Sequence, residues 1–149
     1  MDNICPVGFS YKKGEADLDA ISLQELAQTH GTPLYVMSKK TIVTACNHFL
    51  TPLNNFYPNS AVLYAAKANL TVGLAQLIDQ QGLCFDVSSG GELFTVKEAG
   101  VASDKIYFHG NNKTIDELIL AIKHKVTIIV DNLQELKNIA QCHQGQDVA

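Results

Sequence analysis

Arginine is absent from this 149-residue chain: all eleven basic residues are lysines. A lysine is a point charge on a flexible stem, and only a guanidinium offers two parallel donors to one anion. Any bidentate clamp on a phosphate or carboxylate therefore has to come from outside these residues. Basic runs are absent as well and the formal net charge is −4, so the footprint of a nucleic-acid binder is missing. No apolar run approaches the ~20 residues that a membrane helix needs, so no membrane partner is expected. Met1 to Tyr11 lacks a charged start followed by an apolar core, so no secretory leader is expected. The cysteines Cys5, Cys46, Cys84 and Cys142 form no C-x-x-C pair, and no histidine falls at zinc-ligand spacing from two of them. A metal site is not expected. Cys84 lies in an apolar run and reads as a buried thiol, and the cysteine usage suits a reducing cytoplasm. What the chain does have is apolar material: 46% of residues against 17% charged, enough for one ordinary domain with a sizeable core.

Residues 1 to 20 carry little periodicity and read as an irregular lead-in. Ser22-Leu23-Gln24-Glu25 is a capping box, and its helix runs to about His30, where Gly31 stops it. This lead-in, residues 1–31, is followed by the main domain, 32–149. Pro33 to Met37 reads as a short strand, a helix runs from about Lys39 to Leu50 ahead of Pro52, and Leu53 to Ser60 is a loop. From there a repeat sets in. Strands begin near 62, 84, 106 and 128, each 22 residues after the last, and each is followed by a helical pattern. Short, continuously apolar strands separated by amphipathic helices argue for parallel βα units.

Such units build either an open doubly wound sheet or a closed (β/α)8 barrel. The first sheet type needs a glycine-rich turn after its first strand, and Ala66-Lys67-Ala68-Asn69 is not one. Gly90-Gly91 lacks the G-x-G-x-x-G spacing. Polar residues collect at the strand exits: Lys67, then Asp86 with Ser88 and Ser89, then His109 with Asn111 and Asn112, then Asp131. In a barrel those exits share one mouth. The fold class is α/β, the first four units of a TIM-type barrel.

Lys67 is the focus of that mouth. It stands where the apolar run Val62-Leu63-Tyr64-Ala65 ends, between alanines that leave room for something flat. A lysine just past a buried strand loses hydration, which favours the neutral amine able to attack a carbonyl and form a Schiff base. Taken alone, such a lysine also serves as a surface cap. The other candidates are equally two-sided. Asp86 can cap a neighbouring backbone group or serve a site. Glu92 fits a capping box with Ser89, while the glycines between them would let a ligand approach. His109 can stack on a ligand or satisfy a core hydrogen bond, inside a turn that explains Gly110 and the asparagines. Lys113 is expected to be solvated, and Asp131 to cap the helix beginning near Leu133.

Three blocks in order carry a resemblance. Tyr64-Ala65-Ala66-Lys67-Ala68-Asn69 resembles the cofactor-lysine motif of the alanine-racemase-like pyridoxal-phosphate barrel decarboxylases. Gly82 to Leu93, with Asp86 and Ser89-Gly90-Gly91-Glu92, resembles a second block of that family. Lys105 to Lys113, with His109-Gly110-Asn111-Asn112-Lys113, resembles a third. The second and third blocks are most similar to the diaminopimelate decarboxylase branch, and the ornithine branch usually differs at both. The resemblance covers about residues 30 to 140, with Cys84 where a glycine is common and Ser88 where a valine is common.

The resemblance implies the N-terminal half of a pyridoxal-phosphate-binding barrel, with Lys67 holding pyridoxal 5'-phosphate. It implies Asp86 and Glu92 near that lysine and His109 and Asn111 lining the cofactor side of the mouth. The implied reaction is decarboxylation of the amino acid meso-diaminopimelate to lysine in a homodimer with its site at the subunit interface. Decarboxylation of another basic amino acid, a non-catalytic cofactor carrier and a plain α/β domain with no cofactor are the alternatives. The family's phosphate loop, the acid facing the pyridine nitrogen, the substrate-carboxylate arginines and a β-sheet domain would lie beyond Ala149. On this reading residues 1–149 alone are expected to be inactive.

Overall fold

The structure is a computed structural model that describes residues 5–12 and 14–143. The ends of the expected lead-in and barrel domain, residues 1–4 and 144–149, lie outside the described residues. The chain groups into two compact units, Met1–Phe56 and Tyr57–Ala149, a later division than the one expected at residue 31.

The first unit corrects the expected irregular lead-in. Three short strands, β1 (Phe9–Lys12), β2 (Glu15–Leu18) and β3 (Ile21–Ser22), form an antiparallel sheet in that order. Strands this short and mostly exposed leave no periodic signal in the sequence. Helix α1 (Leu23–His30) starts as expected, with the Ser22 hydroxyl accepting the Glu25 N–H at 3.3 Å. The expected strand at Pro33–Met37 is not formed. Its residues are irregular and exposed, and Tyr35 is 97% accessible. An apolar run becomes a strand only when a neighbouring strand takes its hydrogen bonds. Helix α2 (Lys39–Phe56) is longer than expected and passes through Pro52. The proline removes one donor near the C-terminal end, and the helix completes a further turn beyond it.

The second unit follows the 22-residue rhythm. Strands β4 (Leu63–Ala65), β5 (Cys84–Val87), β6 (Ile106–Phe108) and β7 (Thr127–Ile128) form one parallel sheet in sequence order. Between and after them come α3 (Val72–Gln80), α4 (Gly90–Glu98), α5 (Ile115–Lys123) and α6 (Leu133–Cys142). Each helix is started by a side-chain cap: Thr71, Ser89, Thr114 and Asn132 each accept the N–H three residues on. The expected cap Asp131 is therefore corrected to Asn132, whose Oδ1 accepts the Glu135 N–H at 2.9 Å. Asn132 has the extended backbone of a cap residue, which points its side chain at the helix start.

Register explains where the core sits. Tyr64 pairs with Phe85, Phe85 with Ile106, Val87 with Phe108 and Phe108 with Ile128, so these side chains share one face. That face is sealed: Phe85, Val87, Ile106 and Phe108 have no exposed surface. Against it lie the spaced apolar residues of the helices, such as Leu74 and Ile78, Leu93 and Val96, and Leu118 and Ile122. Each large side chain so enclosed contributes ~1.5–3 kcal/mol. The other face carries Leu63, Ala65, Cys84, Asp86, Tyr107 and Thr127, and none of these is fully buried. The strands thus alternate between a sealed and an open face. Among the described residues no helix is long and apolar enough to cross a membrane.

Candidate active site

The carboxyl ends of all four parallel strands point the same way, and the segments that leave them meet. Lys67 lies on a single 3-10 turn, Ala66–Ala68, directly after β4. Ala66 is buried and anchors the turn, while Lys67 is exposed. The expected loss of hydration at Lys67 is therefore not seen: the turn carries the side chain past the sealed face and over the open one. Tyr64 braces the segment, its ring set edge-on to Phe85 with centroids 6.3 Å apart and its hydroxyl donating to Asn69 O at 2.7 Å.

An open cavity of about 330 Å³ is lined by Lys67, Asp86, Ser88, His109, Gly110, Asn111 and Asp131. Asp86 comes from near the end of β5 and the others from the segments that follow the strands, which is why residues far apart in sequence become neighbours. His109 Nδ1 stands 3.6 Å from Asp86 Oδ1, beyond a hydrogen bond but close enough for mutual orientation. The volume falls within the range of small-molecule sites. A larger hollow of about 690 Å³ lies in the first unit, bordered by Gly8, Asp19, Ala20, Lys39, Lys40 and Val43. It has less chemistry to offer, because Asp19 already accepts the Ser38 hydroxyl at 2.6 Å and both lysines are on the exposed first turn of α2.

Of the candidates read from the sequence, Lys67, Asp86, His109 and Asn111 meet in this cavity, and Glu92 stands behind it. Glu92 Oε2 accepts the Ser88 N–H at 2.7 Å and the Ser88 hydroxyl at 3.2 Å. It holds the loop that carries Ser88 rather than facing the opening. Asp131, counted among the polar exits but read as a helix cap, belongs to the cavity lining. Gly110 has a reason to be glycine: its φ is +108°, and a Cβ there would lie 3.2 Å from Ser88 O.

Lys113 requires the largest correction. It is not solvated; its side chain is 1% exposed and its Nζ lies 2.7 Å from Glu135 Oε1. Nζ also donates to Gly110 O at 2.6 Å and Ile129 O at 3.0 Å, and sits 5.8 Å from the Phe108 ring centre. The stem folds back beneath its own turn because Phe108 and the exposed carbonyls offer both an apolar bed and acceptors. Glu117 plays a related part at the next helix. Its Oε2 accepts the Thr114 N–H at 2.8 Å and hydroxyl at 3.0 Å, and its Oε1 accepts the Gly90 N–H at 2.6 Å. Burial, the largest single influence, pushes this carboxyl up. The hydrogen bonds from Thr114 and Gly90 and the charge of Lys113 together outweigh burial and hold it below the usual carboxylate range. At the opposite end of β5 burial raises the Cys84 thiol, partly offset by nearby Lys105.

Residues 39–149 match the family described as pyridoxal-dependent decarboxylase, pyridoxal binding domain. The chain belongs to this family. It is 42% identical over 126 residues to diaminopimelate decarboxylase of Bacillus methanolicus, covering 84% of this chain and 29% of that enzyme. Against diaminopimelate decarboxylase of Synechocystis sp. the identity is 40% over 140 residues, covering 87% and 30%. Among solved structures, diaminopimelate decarboxylase of M. jannaschii in co-complex with L-lysine superposes with a TM-score of 0.80 at 34% identity, covering 90% of this chain and 32% of that one. The chain thus spans under a third of the length of the curated relatives it matches. The α/β barrel-type architecture expected from the strand rhythm is borne out.

The donors at the cavity fit the family's cofactor by their chemistry. A primary amine, Lys67 Nζ, can condense with an aldehyde. The imidazole of His109 has a flat face for a ring to lie on, and Ser88, Asn111 and Asp131 add polar groups to the rim.

Proposed function

We propose that the protein decarboxylates meso-diaminopimelate to lysine with pyridoxal 5'-phosphate held on Lys67. The observation that carries the reading is the meeting of Lys67, Asp86, His109 and Asn111 at one cavity, in a chain whose curated relatives include diaminopimelate decarboxylases at 36–42% identity. The L-lysine held by the M. jannaschii structure matches the product this reading requires.

When bound, pyridoxal phosphate supplies the electron sink that lets the bond between the α-carbon and its carboxylate break. The residues of this chain bind and orient. Lys67 would hold the cofactor through its primary amine, which is the group of this chain placed to move a proton at that point. His109 offers its ring face, with Asp86 Oδ1 3.6 Å from Nδ1 as the acidic group on that side. Asn111 gives an amide to the polar rim. Glu92 acts one step removed, through the Ser88 loop it caps. A homodimer sharing its site across the interface is part of the same proposal, supported by the family resemblance. A cytoplasmic setting is supported by four cysteines that are all free.

The test has two arms. Borohydride reduction of the cofactor-loaded protein, followed by digestion and mapping, is expected to leave the adduct on Lys67; an adduct on Lys39, Lys97 or Lys113 with Lys67 clean overturns the assignment. Release of CO₂ is then compared for diaminopimelate, ornithine, arginine and lysine. A clear preference for any of the last three moves the protein to another branch of the family.

A further inference from the structure

We propose that the buried Lys113–Glu135 pair is the positioning element of the cavity, fixing the His109–Asn111 turn and Asp131 without itself facing the ligand. The role rests on the function proposed above only for the identity of the ligand. Burying two opposite charges is a poor way to gain stability, since apolar residues of similar volume do as well or better. Yet here the two side chains are 1% and 6% exposed and 2.7 Å apart, directly behind a polar opening.

What the pair holds explains its place. An ammonium has three N–H donors. Lys113 directs two at backbone carbonyls, Gly110 O at 2.6 Å and Ile129 O at 3.0 Å, and its charge is met by Glu135 Oε1 at 2.7 Å, an ion-pair contact rather than an aligned hydrogen bond. Gly110 lies between His109 and Asn111, both in the cavity lining, and Ile129 precedes Asp131 by two residues. Glu135 uses its second oxygen on the Asp131 N–H at 3.0 Å. So the pair grips both loops, and every gripped atom is within two residues of a lining side chain. The third side is closed by packing, because a Cβ on Gly110 would lie a tight 3.2 Å from Ser88 O. A neutral pair of the same volume would fill this space but would offer no donor to Gly110 O or Ile129 O.

The test separates positioning from stability in the intact protein. The double variant Lys113→Met with Glu135→Gln strands no buried charge, so its melting temperature is expected to stay close to that of the parent. Its dissociation constant for pyridoxal 5'-phosphate, read from near-visible absorbance, is expected to rise by about tenfold or more, as small misplacements in a site do. The ring resonances of His109 are expected to move or broaden in the cofactor-free double variant. A parent-like dissociation constant together with unmoved His109 resonances overturns the proposal. Should the double variant not fold, Lys113→Met alone decides, since it removes the donor to Gly110 O and Ile129 O while Glu135 Oε2 still accepts the Asp131 N–H. Weaker cofactor binding with shifted His109 resonances supports the role, and parent values for both overturn it. If the parent itself takes up no pyridoxal 5'-phosphate, the proposed function fails, while the His109 resonances still decide the positioning role.

Discussion

In the second unit, Phe85, Val87, Ile106 and Phe108 are closed off completely between the sheet and its helices. In the first unit, Leu18 and Cys46 are the buried apolar residues among those described, and α1 buries none. Tyr35, Phe49 and Phe56 there are mostly exposed. The first unit relies on polar joints instead: Ser38 donates to Asp19 at 2.6 Å and accepts the Thr41 N–H at 3.0 Å, and the Thr41 hydroxyl donates to Val7 O at 3.1 Å. A parallel βα repeat covers one face of each strand with a helix as it goes along, so every repeat adds core. A short antiparallel meander beside two helices has no such rule. The difference places most of the chain's cohesion under the candidate site, where precise placement of loops matters, and little of it ahead of residue 57.

That contrast can be broken first with a matched pair of truncations. Phe108→Ala empties a sealed position and is expected to cost ~3–5 kcal/mol in denaturant unfolding of the intact protein. Phe49→Ala removes a ring that is 64% exposed and is expected to stay within about 0.5 kcal/mol of the parent. Equal losses at the two positions would show that the first unit is packed as tightly as the second. A smaller effect sharpens the picture of polar joints. Ser38→Ala removes the cap of α2 and the partner of Asp19, with an expected loss of ~1 kcal/mol. No measurable loss would mean that those bonds exchange freely with water.

The smallest expected effect is a pH dependence. The Glu117 carboxyl is held below its ordinary value in the folded protein. Its contribution to stability is complete above the unfolded value and is lost as pH falls through the folded one. Glu117→Gln is therefore expected to flatten the acid side of the stability profile while leaving its shape near neutrality unchanged. Lys105 carries the opposite sign: Asp79 at 2.7 Å raises its ammonium, so that contribution is present at neutral pH and fades only as pH rises through the raised value. An acid limb unchanged by Glu117→Gln would assign acid unfolding to other carboxyls.

The helix starts show how far the sequence reaches. Ser22, Ser89, Thr114 and Asn132 each stand three residues before a glutamate, at Glu25, Glu92, Glu117 and Glu135. That spacing marked Ser22 and Ser89 as caps, because the hydroxyl and the N–H it accepts are fixed by one turn of backbone, but at the last helix the reading fell on Asp131 and the cap is Asn132. The strand rhythm is equally local: strand starts expected at 62, 84, 106 and 128 are observed at 63, 84, 106 and 127. Lys67, Asp86, His109 and Asn111 were legible for the same reason, since a repeat of parallel units must bring its strand exits to one end. What each glutamate does with its carboxylate was not legible. Glu117 closes the reciprocal box and reaches across to Gly90, Glu92 turns back to Ser88, and Glu135 takes both Asp131 and a buried lysine one unit earlier. Nor could the sequence tell that Lys113 is buried or that Pro33–Met37 is not a strand. Those outcomes depend on which carbonyls, rings and strand edges a neighbouring segment leaves unpaired, and that is decided only when the segments pack.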